Sequence, residues 1–301
     1  MRLSDQTIAF FGLGSMGYGM AATLIRAGAA VYGFDVAPGP VEKLVGEGGR
    51  QAGVAEAGAQ ADAAVIVVLN AAQLEAVLFG ADGIAAHLRP GAVIIACPTI
   101  APDQARALAT RCGELGLHYL DAPISGGAAK AARGALSVMA SGSPDALAAA
   151  RPVLDAVAET VFDLGPEPGA GSAMKAINQM LAGVHIAAMA EAVTFGMTQG
   201  ISPQKTLEVI PQCAGTSWMF ENRAPHIVAG DYTPHSAVDI WPKDLGIVLD
   251  VARGAKFSAP LTAAALQQFL AASGSGLGRE DDAAVAKVYA RNAGLNLPGD
   301  D

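Results

Sequence analysis

A glycine-rich turn between two strand-like segments constrains the fold of this chain more than any other feature. The short apolar run 7–11 leads into the motif GLGSMG at residues 12–17, and a helix-compatible segment follows it. A second apolar run, 30–34, ends at Asp35, which lies 18 residues after the third glycine. A strand, a glycine-rich turn, a helix, a strand and an acid in this order are typical of a dinucleotide-binding unit, whereas the glycine motif alone is a weak signal.

Each glycine of the motif has its own expected task. Gly12 makes the tight turn, Gly14 lets the backbone approach a pyrophosphate, and Gly17 lets the helix pack against the strand. The N-terminus of that helix offers N–H donors and the positive end of the helix dipole to the pyrophosphate. A glycine-rich turn without a ligand is the alternative, and the flanking strands and Asp35 argue against it.

Asp35 bears on the choice of cofactor. Its carboxylate can accept hydrogen bonds from the ribose hydroxyls of NAD, but it would repel the additional phosphate of NADP. Val36 follows it, and no arginine stands beside it to bind such a phosphate. The sequence therefore predicts NAD as the cofactor and disfavours NADP.

The rest of the N-terminal half alternates between apolar runs and alanine-rich helical stretches. This alternation predicts an α/β fold with a Rossmann-type, doubly wound parallel sheet that is extended by the later strands. The predicted strands after the first two are residues 64–69, 92–96, 118–120, 136–140 and 160–164.

Candidate cofactor residues stand at the ends of two of these strands. Leu69 and Asn70 close the first, and Thr99 follows the second. Ligands of open α/β sheets bind beyond the carboxyl ends of the strands, so these residues are candidates for the cofactor crevice. Asn70 and Thr99 could equally be a helix cap or a turn residue, and both interpretations remain open.

A serine and two glycines follow the next strand, at Ser125, Gly126 and Gly127 in the segment DAPISGG. Successive N–H groups in such a turn can form a concave anion site, and the serine hydroxyl adds a donor. An ordinary loop is the alternative. If the substrate is acidic, this turn is the candidate anchor for its carboxylate.

The segment 169–199 carries apolar residues at helical spacing and predicts one long, mostly buried helix. Lys175 is the only formal charge between its first residue and Glu191. Asn178 and Gln179 lie three and four residues after Lys175 and hence on the same helical face. A basic group beside two amides is a candidate proton-transfer site, and a lysine that snorkels from an apolar helix is the alternative.

The breaker cluster GPEPG at residues 165–169 marks the predicted domain boundary. Residues 1–168 are predicted to form the nucleotide-binding domain and residues 169–301 an all-helical domain, with the active site between them. A loop is predicted at 217–223, and its polar residues are candidates for reading substrate hydroxyls. Packing of Trp218 and Phe220 at a subunit interface is the alternative. The predicted helices that follow the long one are residues 203–210, 242–255, 261–272 and 281–290.

Composition and charge argue against several partners. The net charge of −9, without a cluster of Lys and Arg, disfavours nucleic acid. The best candidate for a membrane span is the uncharged run 176–190, which is shorter than the roughly 20 residues that cross a bilayer core.

The N-terminal segment reaches a strand pattern too early for a signal peptide. Three cysteines without a Cys-x-x-Cys pair suit a reducing cytoplasm.

The histidines and the long helix lead to two further expectations. None of the five histidines forms a zinc-type pair, so no metal is expected, and His226 and His235 are interpreted as surface or hydrogen-bonded residues. A helix as apolar as 169–199 needs cover on several sides, which predicts a homodimer or a homotetramer.

Four motifs stand in the order and spacing of one known family. They are GLGSMG with Asp35, DAPISGG from Asp121, GAGSAMKAINQ around Lys175, and KDL from Lys243. On these motifs, nearly the whole chain resembles the β-hydroxyacid dehydrogenases, which include 3-hydroxyisobutyrate dehydrogenase and tartronate semialdehyde reductase. The resemblance implies a nucleotide-binding domain, a helical domain and a small hydroxy-acid substrate.

Within the family, the segments 217–223 and 230–240 are most similar to the branch that acts on L-threonate. Asn178 departs from that branch, which tends to carry histidine at this position, and agrees with the wider family. The expected reaction is oxidation of L-threonate to 2-oxo-tetronate. The alternatives are 3-hydroxyisobutyrate, glycerate or a semialdehyde as the substrate and, from another class of protein, a catalytically silent NAD-binding sensor.

The resemblance also implies residue roles. Lys175 is the expected general acid/base, and its position near a helix N-terminus among apolar neighbours favours the neutral amine that a base requires. The predicted substrate-binding residues are Ser125, Gly126, Gly127, Asn178 and Gln179. The predicted cofactor-binding residues are Gly12, Leu13, Gly14, Ser15, Met16, Gly17, Asp35, Leu69, Asn70, Thr99 and, on the resemblance alone, Lys243.

Overall fold

A computed structural model describes residues 2–299 of the 301-residue chain. It divides into two compact units, Met1–Lys175 and Ala176–Asp301. The sequence-based boundary lies before residue 169, at the breaker cluster, whereas the division between the compact units falls inside the long helix. The first turns of that helix therefore group with the N-terminal unit.

The core of the N-terminal unit is a five-stranded parallel sheet in the order β2-β1-β3-β4-β5. Its central strands are buried on both faces, as expected for a parallel sheet that is covered by helices on both sides. The fold class predicted from the alternating pattern is confirmed. The strands are β1 (Thr7–Phe11), β2 (Ala30–Phe34), β3 (Ala63–Ile66), β4 (Val93–Ala96) and β5 (His118–Asp121).

The later strands form a second sheet and do not extend the first. The strands β6 (Ile124–Ser125), β7 (Leu136–Ala140) and β8 (Ala158–Asp163) pair in the order β6-β7-β8, with β6 antiparallel to β7. The predicted extension of the parallel sheet was therefore wrong in this detail. Two residues separate β5 from β6, which is too few for the crossover that a parallel neighbour of β5 would need, and β6 instead pairs antiparallel with β7.

Helices cover both faces of the parallel sheet, and side chains alternate between two apolar cores. Ile8 and Phe10 of β1 point into one core, and Ala9 and Phe11 into the other. Short 3-10 helices occupy Leu3–Asp5 and Ile84–His87. The α-helices are α1 (Gly17–Arg26), α2 (Pro38–Gly46), α3 (Val54–Gln60), α4 (Ala71–Phe79), α5 (Pro102–Glu114), α6 (Gly127–Ala131) and α7 (Pro144–Val157).

From residue 170 onward the described chain is helical, as predicted. The helices are α8 (Ala170–Thr198), α9 (Pro203–Val209), α10 (Trp218–Ala229), α11 (Ile240–Gly254), α12 (Pro260–Ala272) and α13 (Ala286–Ala293). Shorter helical turns occupy Ile210–Gln212, Ser273–Leu277 and Asp282–Val285.

The predicted loop at residues 217–223 is instead the start of α10. Ser217 caps this helix, because its Oγ accepts a hydrogen bond from the backbone N–H of Phe220 at 3.0 Å. Phe220 and Arg223 are buried, so the helix turns them into the C-terminal unit. Pro225 lies inside this helix, where it lacks the N–H that would donate to the preceding turn. The side chain of Arg223 is engaged at the buried Asp282 inside this unit.

Helix α8 buries one face and exposes the other. Ile186, Met189 and Val193 pack into the core of the C-terminal unit, whereas Ile177 and Leu181 are each 52% exposed. The prediction of a mostly buried helix is thus correct for one face only. The helix is long and apolar enough to cross a membrane, but 44% of its most apolar window is buried inside the protein. Packing of that face into a core is the behaviour of a core helix.

We predict that Phe269→Ala destabilises the C-terminal unit. Phe269 is fully buried and stacks on Trp241 with ring centroids 5.5 Å apart. Removing the ring leaves a cavity, and the expected loss is about 3–5 kcal/mol in the free energy of unfolding. Urea unfolding followed by circular dichroism measures it. Phe257→Ala is the matched control, because Phe257 is 62% exposed, and an equal loss in both variants would contradict the packing described here.

Candidate active site

The cofactor-binding residues predicted in the N-terminal unit stand at one edge of the parallel sheet. The glycine motif follows β1, Asp35 follows β2, Leu69 and Asn70 follow β3, and Thr99 follows β4. Because all of these strands run in the same direction, their carboxyl ends lie at a common edge. This edge is where an open α/β sheet binds its ligand.

The three glycines of the motif are required for different reasons. Gly12 has φ +90° and a Cβ there would lie 2.1 Å from the carbonyl oxygen of Val67, while a Cβ on Gly17 would lie 1.9 Å from the carbonyl oxygen of Gly12. A Cβ on Gly14 would meet no protein atom within 4 Å. The fold itself does not require glycine at residue 14. Open space above an exposed Gly14 fits a group that must approach the backbone closely, as a pyrophosphate does.

Asp35 holds the glycine-rich turn against the second strand. Its Oδ2 accepts a hydrogen bond from the backbone N–H of Leu13 at 2.6 Å, and its Oδ1 accepts one from Ala37 at 2.8 Å. The side chain of Leu13 is buried in the core, so only its backbone can face a cofactor. Val36 is fully exposed beside the carboxylate and offers no positive charge to a ribose phosphate.

Asn70 has a capping hydrogen bond, whereas Thr99 lies in a connecting segment. Asn70 caps α4, since its Oδ1 accepts a hydrogen bond from the backbone N–H of Gln73 at 2.9 Å. The helix-cap interpretation of Asn70 therefore holds. Leu69 is half exposed, and its N–H donates to Oε1 of Gln73 at 2.8 Å. Thr99 is half buried in the connection between β4 and α5.

The turn predicted to bind an anion joins β6 to α6. Ser125 is the last residue of β6, and the two glycines that follow have φ +133° and φ +75°. Side chains with a Cβ rarely adopt such angles, so the turn depends on Gly126 and Gly127. A Cβ on Gly127 would meet no protein atom within 4 Å, which leaves the space above this backbone open.

Asp121 links this turn to the long helix, a role that the sequence analysis missed. Its carboxylate accepts hydrogen bonds from the backbone N–H groups of Gly169 at 3.0 Å and Ser172 at 2.8 Å, and from the Ser172 hydroxyl at 2.7 Å. The side chain is almost fully buried. Burial raises the pKa of Asp121, and the hydrogen bonds from Ser172, Gly169 and Ser141 oppose that rise.

The signal for this role was present in the sequence. An acid at the end of a buried strand is unusual because an ionised carboxylate is costly to bury without donors. The four N-terminal N–H groups of a helix lack partners inside the helix and supply such donors. Asp121 thus caps α8 in the same short segment that carries the anion turn.

Lys175 lies in the second turn of α8, three residues after Ser172. It is 8% exposed, so the alternative of a lysine that snorkels into solvent does not hold. The positive end of the helix dipole lies within about one turn of its Cα. Lys175 is thus a buried amine at a position that the Asp121 cap fixes.

The C-terminal unit holds a chain of polar contacts that starts at Asn178. Nδ2 of Asn178 donates to Oε1 of Gln179 at 2.9 Å, and Nε2 of Gln179 donates to Oδ2 of Asp244. Oδ1 of Asp244 forms an ion pair with Nζ of Lys243. Gln179 and Asp244 are 7% and 2% exposed. Lys243 is therefore engaged at Asp244, and its expected contact with the cofactor stays a prediction.

Two histidines and an aspartate also converge in the C-terminal unit. Nδ1 of His226 lies 2.9 Å from Oδ1 of the fully buried Asp281, and the rings of His226 and His235 meet edge to face. The expectation of a hydrogen-bonded histidine is confirmed for His226. The potential ligand atoms of the three residues lie within 4.8 Å of one another, so the group could hold a metal ion. That no metal binds here stays a prediction.

Two families match the chain and together cover most of it. Residues 7–165 match the family described as the NAD binding domain of 6-phosphogluconate dehydrogenase. Residues 169–289 match the family described as the NAD-binding of NADP-dependent 3-hydroxyisobutyrate dehydrogenase.

Individual relatives match over nearly their full length. An L-threonate dehydrogenase of Cupriavidus necator is 51% identical, covering 98% of this chain and 99% of that protein. An L-threonate dehydrogenase of Escherichia coli K12 is 47% identical, covering 98% of both. The crystal structure of a 3-hydroxyisobutyrate dehydrogenase from Salmonella typhimurium is 48% identical and gives a TM-score of 0.89, covering 94% of this chain and 100% of that chain.

We predict that Gly14→Ala weakens cofactor binding without unfolding the protein. The added methyl group meets no protein atom within 4 Å but occupies the space above the turn, so the Kd for NADH should rise by roughly 10-fold. Fluorescence titration with NADH measures it, and the thermal unfolding midpoint should match the wild type. Gly17→Ala is the contrast, because its Cβ meets backbone at 1.9 Å and should lower stability. Wild-type NADH affinity in Gly14→Ala would contradict this account.

Proposed function

This chain belongs to the β-hydroxyacid dehydrogenase family, and on that basis we propose that it oxidises L-threonate to 2-oxo-tetronate with NAD⁺. It is an oxidoreductase acting on CH–OH groups, with an NAD-binding domain of the kind that residues 7–165 match. The choice of L-threonate within the family rests on relatives of that activity that share about half of their residues with this chain over nearly the full length.

The observation that carries the proposal is the buried Lys175 on a helix with a fixed N-terminus. In the oxidative direction, neutral Nζ of Lys175 accepts the proton of the substrate hydroxyl, while a hydride leaves the carbon that bears this hydroxyl. NAD⁺, when bound, accepts that hydride at C4 of its nicotinamide. Lys175 is 8% exposed in the second turn of α8, so its side chain is held within the protein and not in bulk solvent.

The substrate carboxylate is assigned to the turn of Ser125, Gly126 and Gly127. The hydroxyl of Ser125 and the N–H groups of the two glycines are donors, which suit an acceptor-only group. Asn178 then contacts a hydroxyl of the substrate. Because the turn of Ser125, Gly126 and Gly127 is held between β6 and α6, little ordering of its donors is needed when a carboxylate binds.

NAD is proposed over NADP. The Asp35 carboxylate would accept hydrogen bonds from the ribose hydroxyls, and it would repel the phosphate that NADP carries there. The fully exposed Val36 beside it supplies no compensating charge.

A homodimer or homotetramer is proposed as the working form. Met174, Ile177, Leu181 and Phe195 lie on one side of α8 and are 39%, 52%, 52% and 64% exposed. A second copy of the chain would cover this stripe, which a single chain leaves in contact with water. The proposed location is the cytoplasm, supported by three free cysteines.

The proposed function is tested with a panel of hydroxy acids. NADH production at 340 nm is followed with L-threonate, D-threonate, D-erythronate, D-glycerate and 3-hydroxyisobutyrate, each with NAD⁺ and with NADP⁺. The highest kcat/KM is expected for L-threonate with NAD⁺. Preference for another acid would overturn the substrate, preference for NADP⁺ would overturn the cofactor, and tight NADH binding without turnover would favour the silent sensor.

We predict that Lys175→Ala removes most of the turnover and leaves cofactor binding intact. Loss of the proton acceptor should lower kcat by roughly 10²- to 10⁴-fold, with the Kd for NADH close to that of the wild type. Lys205→Ala is the control, because its side chain is 58% exposed and should be silent. A Lys175→Ala variant that keeps most of its turnover would show that another group takes the proton.

The oligomer is tested at the exposed stripe of α8. Leu181→Glu adds a charge to an apolar surface that a second copy would cover, so the molar mass measured by light scattering should fall towards that of a single chain. Leu115→Glu changes a leucine of the N-terminal unit that is 46% exposed, and it should leave the mass unchanged. A wild-type protein that is already a monomer would refute the proposal.

A further inference from the structure

A buried carboxylate, that of Asp244, lies between Gln179 and Lys243 in the polar chain of the C-terminal unit. Asp244 belongs to α11 and is 2% exposed, and Gln179 belongs to α8 and is 7% exposed. Gln179 contacts Asp244 with one end of its carboxamide and Asn178 with the other. Its amide is thus occupied at both ends, which leaves little of it for a substrate.

The direction of every hydrogen bond in this chain follows from Asp244. A carboxylate only accepts hydrogen bonds, so Gln179 must turn its Nε2 towards Asp244. Its Oε1 then faces Asn178, and only Nδ2 of Asn178 can donate to it. Burial strengthens the preference, because a reversed amide would leave an oxygen against a buried carboxylate.

The orientation of Asn178 decides what this residue offers to a ligand. One N–H of its amide is used by Gln179 at 2.9 Å. Its Oδ1 and its second N–H take no part in that bond. An amide that offers both an acceptor and a donor matches a hydroxyl, which both donates and accepts, better than a carboxylate, which only accepts.

We propose that Asp244 acts through Gln179 as a positioning residue that fixes the Asn178 carboxamide to recognise a hydroxyl of the substrate. The inference rests on the proposed function, since it assumes a hydroxy-acid substrate beside Asn178. It assigns Gln179 an indirect role, in contrast to the direct contact expected from its sequence position. It also explains why a carboxylate is buried here at the cost of its hydration.

We call the chain Asp244–Gln179–Asn178 the relay. The decisive test exchanges the carboxylate of Asp244 and the carboxamide of Gln179. Asp244→Asn removes the charge that orients Gln179, and Gln179→Glu sets a carboxylate against Asp244. In the double variant the introduced asparagine donates to the introduced glutamate, whose other oxygen accepts from Asn178. The original orientation of Asn178 is thereby restored.

Each single variant should lower kcat/KM for the preferred hydroxy acid by roughly 10-fold or more, with the Kd for NADH unchanged. The double variant should regain most of that loss. Asp250→Asn is the matched control, since Asp250 lies on the same helix, its side chain is 70% exposed, and it should behave as the wild type. Single variants with wild-type efficiency would overturn the relay, as would a double variant whose losses simply add.

A further variant keeps the proposal testable if Asp244→Asn fails to fold. Asp244→Asn also removes the ion-pair partner of Lys243. Gln179→Met breaks the relay in its middle and leaves the Asp244–Lys243 pair in place. It should show the same loss in kcat/KM, and full efficiency in a folded Gln179→Met would overturn the proposal.

Failure of the relay is distinguishable from failure of the proposed function. If the wild type oxidises no acid of the panel, the proposed function fails. The coupling between residues 179 and 244 is then still measured by the thermal unfolding midpoints of the two single variants and the double variant. If the shifts of the midpoint in the two single variants simply add in the double variant, the relay is overturned. If the midpoint of the double variant returns towards that of the wild type, the result supports the contacts on which the relay is built.

Discussion

The cap that Asp121 places on α8 is the interaction on which the proposed chemistry of the N-terminal unit depends. A fully buried carboxylate is costly unless donors surround it, and the N–H groups of a helix N-terminus are donors without partners of their own. The carboxylate of Asp121 and the N–H groups of α8 satisfy one another, so the end of β5 and the start of α8 are held together. Lys175 stands one turn beyond Ser172, and the anion turn begins four residues after Asp121.

Helix α8 belongs to both compact units of the chain. Its first turns carry Lys175, the proposed general base, and group with the nucleotide-binding unit, while its later turns contribute to the core of the helical unit. The polar residues Lys175, Asn178 and Gln179 are confined to its buried and half-buried positions. The opposite face is apolar and exposed, which is consistent with a helix that needs a second copy of the chain.

Much of the fold could be predicted from local patterns. The glycine motif between apolar runs located β1, α1 and β2, because turn chemistry and side-chain period act over a few residues. The second sheet was missed because nothing local reports which strands pair. Helix α10 was missed because Pro225 and the charged residues near it break the helical pattern, and its stability comes from Phe220 and Arg223 packing into the core.

The sequence indicates the candidate site residues but not the contacts between them. Lys175, Asp35 and the Ser125 turn were recognisable because their chemistry stands next to a strand end or a helix start. Gly169 and Ser172, which donate to Asp121, and Gln179, which donates to Asp244, lie 48 to 65 residues away in sequence, and only the fold brings them together. For the same reason, Gln179 looked like a substrate ligand in the sequence and is engaged at Asp244 in the structure.

The turnover number of Asp121→Asn tests the central claim most directly. The substitution keeps the shape of the side chain but replaces one acceptor oxygen by an amide that opposes the N–H groups of α8. Because Lys175 loses its fixed position, kcat should fall by roughly 10- to 100-fold while the Kd for NADH is retained. A folded Asp121→Asn variant with the kcat of the wild type would contradict the claim that this cap positions the base.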